Sequence, residues 1–355
     1  MLANTVEFVI GVDTHRDTHT AVTVVPAGAI QSEITILADP GGYRRLLRFA
    51  EQSAPGRRCW AIEGTGSFGA GLTAFLLERG ERVVEIDRPK RPARRNGAKS
   101  DRLDAGRAAR EALTREHLAS PRQRGRREAI RVLLGTRESA IAARTKAITH
   151  LKALLVSAPN ELREDLRRHG TARLLSRCAR LRPPTAADAE RQATILALRT
   201  TARRALTLQA EADTLEHELA ALVLEIAPTL LAEPGVGVIS TAQLLVAYSH
   251  HGRLRSEAAF AALAGAAPIP ASSGPIVRYR LNRGGDRQLN RALHTITISR
   301  LRHDPTTRAY AARRTAEGKS PREIKRCLKR YLARHLFRLL DANPNLHPNS
   351  TATTT

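Results

Sequence analysis

The chain has 355 residues and sets 58 Lys and Arg against 34 Asp and Glu, a formal charge of +24, with 42% apolar residues. That is long enough for two or three domains with a sizeable core, too apolar for a wholly disordered chain, and without the run of about 18 uncharged apolar residues that a membrane helix requires. The amino terminus lacks the basic stretch and cleavage site of a secretory leader, and Cys59, Cys178 and Cys327 form no CxxC pair, so neither a disulfide framework nor a zinc site is expected and a reducing cytoplasm fits.

Residues 1–124 read as an α/β domain. Residues 7–13 (EFVIGVD), 19–25 (HTAVTVV) and 29–37 (AIQSEITIL) are β-rich runs, joined by spacers too short for helices, which predicts an antiparallel meander. A helix is predicted over 41–52, with Tyr43, Leu46, Leu47 and Ala50 on one face. Residues 57–63 read as a strand, 68–79 as a helix and 81–87 as another strand. A Pro- and Arg-rich connection then leads into a helix that starts near Asp101. Three meander strands followed by alternating helix and strand is the element order of the ribonuclease-H-like α/β fold.

Residues 125–226 read as helical and elongated. Leu134, Ile141, Ile148 and Leu155 recur every seventh position, as do Leu208, Leu215 and Leu222, interleaved with Ala212, Leu219 and Ile226. Alternating steps of four and three make the a/d seam of a coiled coil. Pro159, Gly170 and the Pro183–Pro184 pair interrupt the stretch, which predicts two long helices joined by an irregular connection. The seam suits packing within one chain or between two copies. Residues 227–345 read as a mostly helical domain, and 346–355, ending STATTT, as a disordered tail.

The positive charge is clustered. Residues 88–127 hold 14 Lys and Arg against 4 acids, residues 271–340 hold 18 against 4, and the rest of the chain is balanced. Of the 58 basic residues 51 are Arg; a base-composition bias explains Arg over Lys but not the clustering. Such clusters attract a polyanion through phosphate contacts and counterion release. Arg91, Arg94, Arg95 and Lys99 in the first cluster, and Arg278, Arg280, Arg283 and Arg287 in the second, are the candidate nucleic-acid contacts.

Four acids stand where chemistry could use them. Asp13 ends the strand in GVDTHRD, Glu63 ends the later strand in AIEGTGSFG, and Asp101 and Asp104 open a helix in KSDRLDA. Three residues apart, the last pair shares a helix face. Taken singly, each is ordinary: Asp suits a turn, and acids favour a helix amino terminus. If the two strands are neighbours, all four converge at one sheet edge. Crowded carboxylates call for a cation, and oxygen ligands suit Mg²⁺ or Mn²⁺. Two such ions about 4 Å apart can clamp the attacking and leaving oxygens of a phosphoryl transfer.

Three further motifs are weaker. Residues 268–274 (PIPASSG) place two serines before a glycine, with Arg278, Arg280, Arg283 and Arg287 behind them; the alternative to a nucleophile there is a plain turn. Residues 234–237 (PGVG), ahead of an apolar helix, fit either a phosphate-binding hairpin or an interhelix turn. Residues 64–71 (GTGSFGAG) are no P-loop, since no GK[ST] ends them, and the 12 histidines show no HExxH or paired metal spacing.

In order, GVDTHRDTHT, AIEGTG, AKSDRLDAGRAA, EPGVGVISTAQLL and PASSGPIVRYRLNRGGDRQLNRAL resemble the signatures of the insertion-sequence-110 family of transposases. The resemblance covers all but the polar tail. It implies a RuvC-like domain with an Asp-Glu-Asp-Asp quartet, matching Asp13, Glu63, Asp101 and Asp104, then a coiled-coil insertion and a domain carrying a nucleophilic serine. That serine matches Ser273, with Ser272 as the fallback. The resemblance further implies DNA recombination through a serine–phosphate intermediate, with DNA (element ends and target) and a structured guide RNA as partners. It implies a homo-oligomer, a dimer or a tetramer built from dimers, in the bacterial cytoplasm at the nucleoid. Two departures stand out. Lys99-Ser100-Asp101 replaces the commoner KTD, and Pro275 and Ile276 follow SSG where Gly and Lys are usual, which bears on the loop's geometry.

Two other functions also fit the residues. A junction-type endonuclease would use the same carboxylates with water as nucleophile. A non-catalytic nucleic-acid-binding protein would keep the acids for structure alone.

Overall fold

The computed structural model describes residues 2–86, 100–122, 124–182, 188–250, 252–270, 279–280, 282 and 284–346. The chain divides into two compact units. The first comprises Met1–Gln123, with Tyr248–Phe260 and Leu346. It runs β1 (Phe8–Thr14), β2 (Thr18–Val24), β3 (Ile30–Leu37), α1 (Pro40–Ser53), β4 (Arg58–Glu63), α2 (Ala70–Leu77), β5 (Val83–Ile86) and α3 (Asp101–Thr114).

The five strands form one mixed sheet in the order β3-β2-β1-β4-β5. The meander expected from the short spacers is present: β1 pairs antiparallel with β2, and β2 with β3. The chain then returns through α1 to the other edge of β1, where β4 pairs in parallel, and β5 pairs in parallel with β4. Side chains alternate across the sheet as a pleat requires. Val9, Val22, Cys59, Ala61 and Val84 pack against α3. Ile10, Val12, Trp60 and Ile62 face Leu46 of α1 and Leu72 and Leu76 of α2.

Two local boundaries differ from the sequence expectation. Helix α1 starts at Pro40, one residue early, because the Asp39 side chain accepts a hydrogen bond from Gly42 N at 2.7 Å and Pro40 is preset for the first turn. Helix α2 starts at Ala70, two residues late. Gly64 has φ +73°, and its carbonyl accepts from Ser67 N at 2.9 Å and Gly69 N at 3.2 Å. The chain therefore turns sharply off β4 before a helix can form.

Chain order continues with α4 (Arg126–Val156), α5 (Asn160–Leu166), α6 (Thr171–Arg180), α7 (Ala189–Ile226), α8 (Pro228–Leu231), α9 (Val238–Tyr248), α10 (Glu257–Leu263), β6 (Ile269–Pro270), β7 (Tyr279–Arg280), α11 (Arg287–His303), α12 (Pro305–Ala316) and α13 (Pro321–Asp341). The second unit comprises Arg124–Ala247 and Ala261–Asn345. Helices α4 and α7 pack antiparallel, tied by ion pairs Arg126–Glu225 at 2.6 Å and Arg137–Glu216 at 2.7 Å.

On α4 the buried line is Leu134, Ala140, Ala147, Leu151 and Leu155, while Ile141 and Ile148 are half-buried. A helix of 3.6 residues per turn drifts off a strict seven-residue line, which moves the contact by one position. On α7 the interleaved Ala212, Leu219 and Ile226 are buried and Leu208, Leu215 and Leu222 only half-buried. The seam joins two helices of one chain. The expected irregular connection contains helices α5 and α6. Their Leu162, Leu166, Leu174, Leu175 and Cys178 close over Leu151, Leu155, Ile195 and Leu198, and Pro159 and Gly170 are the caps of these helices rather than simple breaks. The Pro183–Pro184 pair and residues 347–355 lie outside the described residues. Among the described residues no helix is long and apolar enough to cross a membrane.

Candidate metal centre

The sheet reverses its direction of growth between β1 and β4: the meander builds outward from one edge of β1, the crossovers from the other. In open α/β sheets such a switch point leaves a crevice beyond the carboxyl ends of the parallel strands. Asp13 and Glu63 stand there. Val12 is in register with Ile62, so the two acids occupy adjacent strand ends, and Thr14 Oγ donates to Glu63 O at 2.8 Å to latch the ends together.

Helix α3 brings the other two acids. It lies directly over β1 at Gly11, where a Cβ would stand 2.0 Å from Ala105 O and 2.9 Å from Ala109 Cβ. Gly11 below and Ala105, Ala108, Ala109 and Ala112 above allow this close approach. One turn before Ala105, Asp101 reaches the end of β1. Asp104, in the same first turn, meets a different partner: its Oδ1 accepts from Arg107 at 2.6 Å.

His15 completes the cluster. Its Nε2 lies 3.2 Å from Asp13 Oδ2 and 3.4 Å from Asp101 Oδ1, and one ligand atom from each of Asp13, His15 and Asp101 lies within 4.8 Å of the others. Asp13 is the inner member, its side chain 13% exposed against 48% for Asp101. Burial pushes its pKa above the ordinary carboxylate range; His15 opposes this through charge and hydrogen bond, while Asp101 and Asp104 add to it. Two carboxylate oxygens and an imidazole nitrogen converging on one point, with negative charge held there against burial, fit a divalent cation.

The sequence places Asp13, Glu63, Asp101 and Asp104 at this edge of the sheet but gives no role to His15. The signal was present: the i, i+2 spacing in Asp13-Thr14-His15 sets both side chains on one side of an extended chain. Of the four expected carboxylates, Asp13 and Asp101 gather with the His15 imidazole, while Asp104 accepts from Arg107. Of the candidate nucleic-acid contacts, Arg280 is exposed on β7 and Arg287 is exposed at the start of α11, whose cap Asp286 accepts from Gln288 N at 2.8 Å. Arg91, Arg94, Arg95, Lys99, Arg278, Arg283, Ser272 and Ser273 lie outside the described residues. At residues 234–237, Arg300 donates to Pro234 O at 2.7 Å and pairs with Glu233, an arrangement that an interhelix turn accounts for.

Comparison with known proteins gives two family matches. A transposase model of the DEDD IS110 type matches residues 10–158, which carry all four acids and His15, and the Transposase IS116/IS110/IS902 family model matches residues 227–312. The chain is 35% identical over 139 residues to the insertion element IS110 43.6 kDa protein of Streptomyces coelicolor, an alignment covering 39% of this chain and 33% of that one. It is 29% identical over 346 residues to the insertion element IS900 42 kDa protein of Mycobacterium paratuberculosis, covering 83% and 86%. Two family models placed in order, one on the acid-bearing unit and one on the helical region that follows, identify the chain as a member of the IS110 family of transposases.

Proposed function

We propose that this chain is a DNA transposase whose ribonuclease-H-like domain holds Mg²⁺ or Mn²⁺ and whose Ser273 forms a covalent link to DNA. The observation that carries the reading is the meeting of Asp13, His15 and Asp101 at the switch point of the sheet. The strand order supports the ribonuclease-H-like assignment.

Asp13, His15 and Asp101 would hold the ion, with Glu63 and Asp104 of the expected quartet beside them. When bound, a divalent ion polarises a phosphoryl oxygen and eases ionisation of the attacking hydroxyl. The carboxylates fix where the scissile phosphate sits, and burial of Asp13 keeps bulk water from one side of the site. Ser273 Oγ attacks phosphorus; the Oγ–P bond forms, the bond to the 3′ oxygen breaks, and that oxygen takes up a proton. A 3′-hydroxyl of the second strand then attacks the phosphoserine and returns the proton to Ser273. One phosphodiester is made for each one broken, so strand exchange proceeds without ATP. The basic segments hold DNA and a guide RNA through phosphates and shape, leaving sequence choice to base pairing. The working form is a dimer or tetramer at the bacterial nucleoid.

A denaturing gel with labelled element-end DNA tests this. Wild type with Mg²⁺ gives a protein–DNA adduct, Ser273→Ala gives none, and Asp13→Ala gives neither adduct nor cleavage. Cleavage retained by Ser273→Ala without an adduct shows a water-using endonuclease instead. DNA binding unchanged by Mg²⁺, with no cleavage by any form, shows a binding protein.

A further inference from the structure

The second unit contains a cavity of about 170 Å³, walled by residues 265–268, Arg280, Asn282 and one face of α13. Arg326, Lys329 and Arg330 supply that face; their i, i+3, i+4 spacing stacks three cations together. Arg280 adds a fourth from β7, and among the described residues no carboxylate lines the cavity.

Lys329 is the inner cation. It is half-buried, and its ammonium donates to Asn290 Oδ1 at 2.6 Å. Asn290 in turn donates to Ala264 O at 2.6 Å, so the network fixes the ammonium without neutralising it. Burial pushes the Lys329 pKa down. The fold thus half-buries an amine in a cavity that three guanidiniums also line, a setting that suits an anion.

The rest of the lining is different in kind. Ala266, Ala267 and Pro268, with Cys327 next to Arg326 on α13, are small and apolar. A cavity of about 150 Å³ with apolar walls accepts a benzene ring, so this one has room for a single six-membered ring beside its charges. An isolated phosphate would leave the apolar end unused. A duplex keeps its bases stacked inside and cannot fill it; a strand with a base turned out can.

We propose that this cavity receives one nucleotide of an unpaired strand, its phosphate on Arg280, Arg326 and Arg330 and its base ring at the Ala266–Cys327 end. The inference rests on the chain's handling of nucleic acid but on neither the acids nor Ser273.

Cys327 makes the test direct. Cys59 and Cys178 are buried, which pushes both thiols up to about 11 and leaves them inert, whereas Cys327 is partly exposed in the cavity wall. Alkylation of Cys327 in the full chain is timed with dT12, U12, a 12-base-pair duplex or inorganic phosphate. At about ten times its Kd a strand occupying the cavity slows alkylation about tenfold; duplex and phosphate leave the rate unchanged. Protection by dT12 or by U12 tells whether the guest is DNA or RNA. In the double variant Arg326→Gln, Arg330→Gln, binding persists, protection is lost, and the salt slope for single strands falls by about 1.4. If dT12 and U12 bind yet Cys327 reacts at its free rate, the cavity is empty and the proposal fails while the nucleic-acid reading stands. Equal protection by duplex shows a surface phosphate track and overturns it, and so does protection by phosphate alone. If no nucleic acid binds at all, both readings fall.

Discussion

Asp13 is where burial and charge meet. Its raised pKa means that the folded, metal-free chain holds this proton to a higher pH than the unfolded chain does. The unfolded state then binds fewer protons, so stability present at low pH is lost as pH rises from about 4 through the raised pKa. A cation binds the ionised form, and its affinity therefore rises over the same window. Asp13→Asn removes the buried charge and should raise the Tm of the metal-free protein at neutral pH. The same variant should lose the Tm increase that Mn²⁺ gives wild type. Thermal melts with and without Mn²⁺, from pH 4 to 7, check both halves; a variant that melts lower than wild type without metal contradicts the first.

His15 separates two kinds of ion. Imidazole is a better donor to transition metals than to Mg²⁺, which prefers oxygen. With its Nε2 between Asp13 and Asp101, His15→Ala should weaken Mn²⁺ binding by about 10–100-fold and Mg²⁺ binding less. Titration calorimetry with each ion gives the two ratios. Equal losses would mean that His15 only holds the carboxylates apart.

At the scale of elements, the site depends on how closely α3 approaches β1. Gly11→Ala drives a methyl into Ala105 O, and overpacking of this kind destabilises by about 1–3 kcal/mol. Because α3 carries Asp101 and Asp104, its displacement should also abolish Mn²⁺ binding. Gly135 on α4 has nothing within 4 Å of an added Cβ, so Gly135→Ala should instead stabilise by about 0.5–1 kcal/mol. Denaturant melts and Mn²⁺ titrations of the pair separate a general glycine effect from the packing of α3.

The same elements show what a sequence can tell. Alternating apolar residues and short spacers made the meander legible, because a period of two and a spacer too short for a helix leave few other folds. Apolar steps of three and four made α4 and α7 legible as long helices. The one-residue drift of the α4 contact to Ala140 and Ala147 was not, since it depends on the winding of the helix against its neighbour. Nor were α5 and α6, whose leucines gain meaning only when they close over Leu151 and Leu198. His15 shows its spacing to Asp13 in the sequence, but its second partner, Asp101, is 86 positions away, and the close approach of α3 at Gly11 makes them neighbours.

For the molecule as a whole, the distribution of charge decides how it should meet nucleic acid. The excess of 24 positive charges lies wholly in residues 88–127 and 271–340. A uniform coat of arginine would make every basic residue equally dispensable, whereas clustered charge makes phosphate contacts local. A protein that neutralises about 6–10 phosphates loses roughly 10³–10⁵ in affinity between 50 and 200 mM salt, with log K falling by about 0.9 per contact on duplex DNA. Exposed Arg302 and Arg322 lie in the second basic segment, and Arg168 and Arg204 in balanced sequence. Arg302→Gln with Arg322→Gln should reduce the duplex salt slope by up to about 1.8, uniformly across DNA sequences. Arg168→Gln with Arg204→Gln removes the same formal charge and should leave the slope unchanged. Anisotropy titrations of an Asp13→Ala background from 50 to 300 mM salt make the comparison without cleavage. Equal slopes for the two double variants would mean that total charge, not its placement, governs binding.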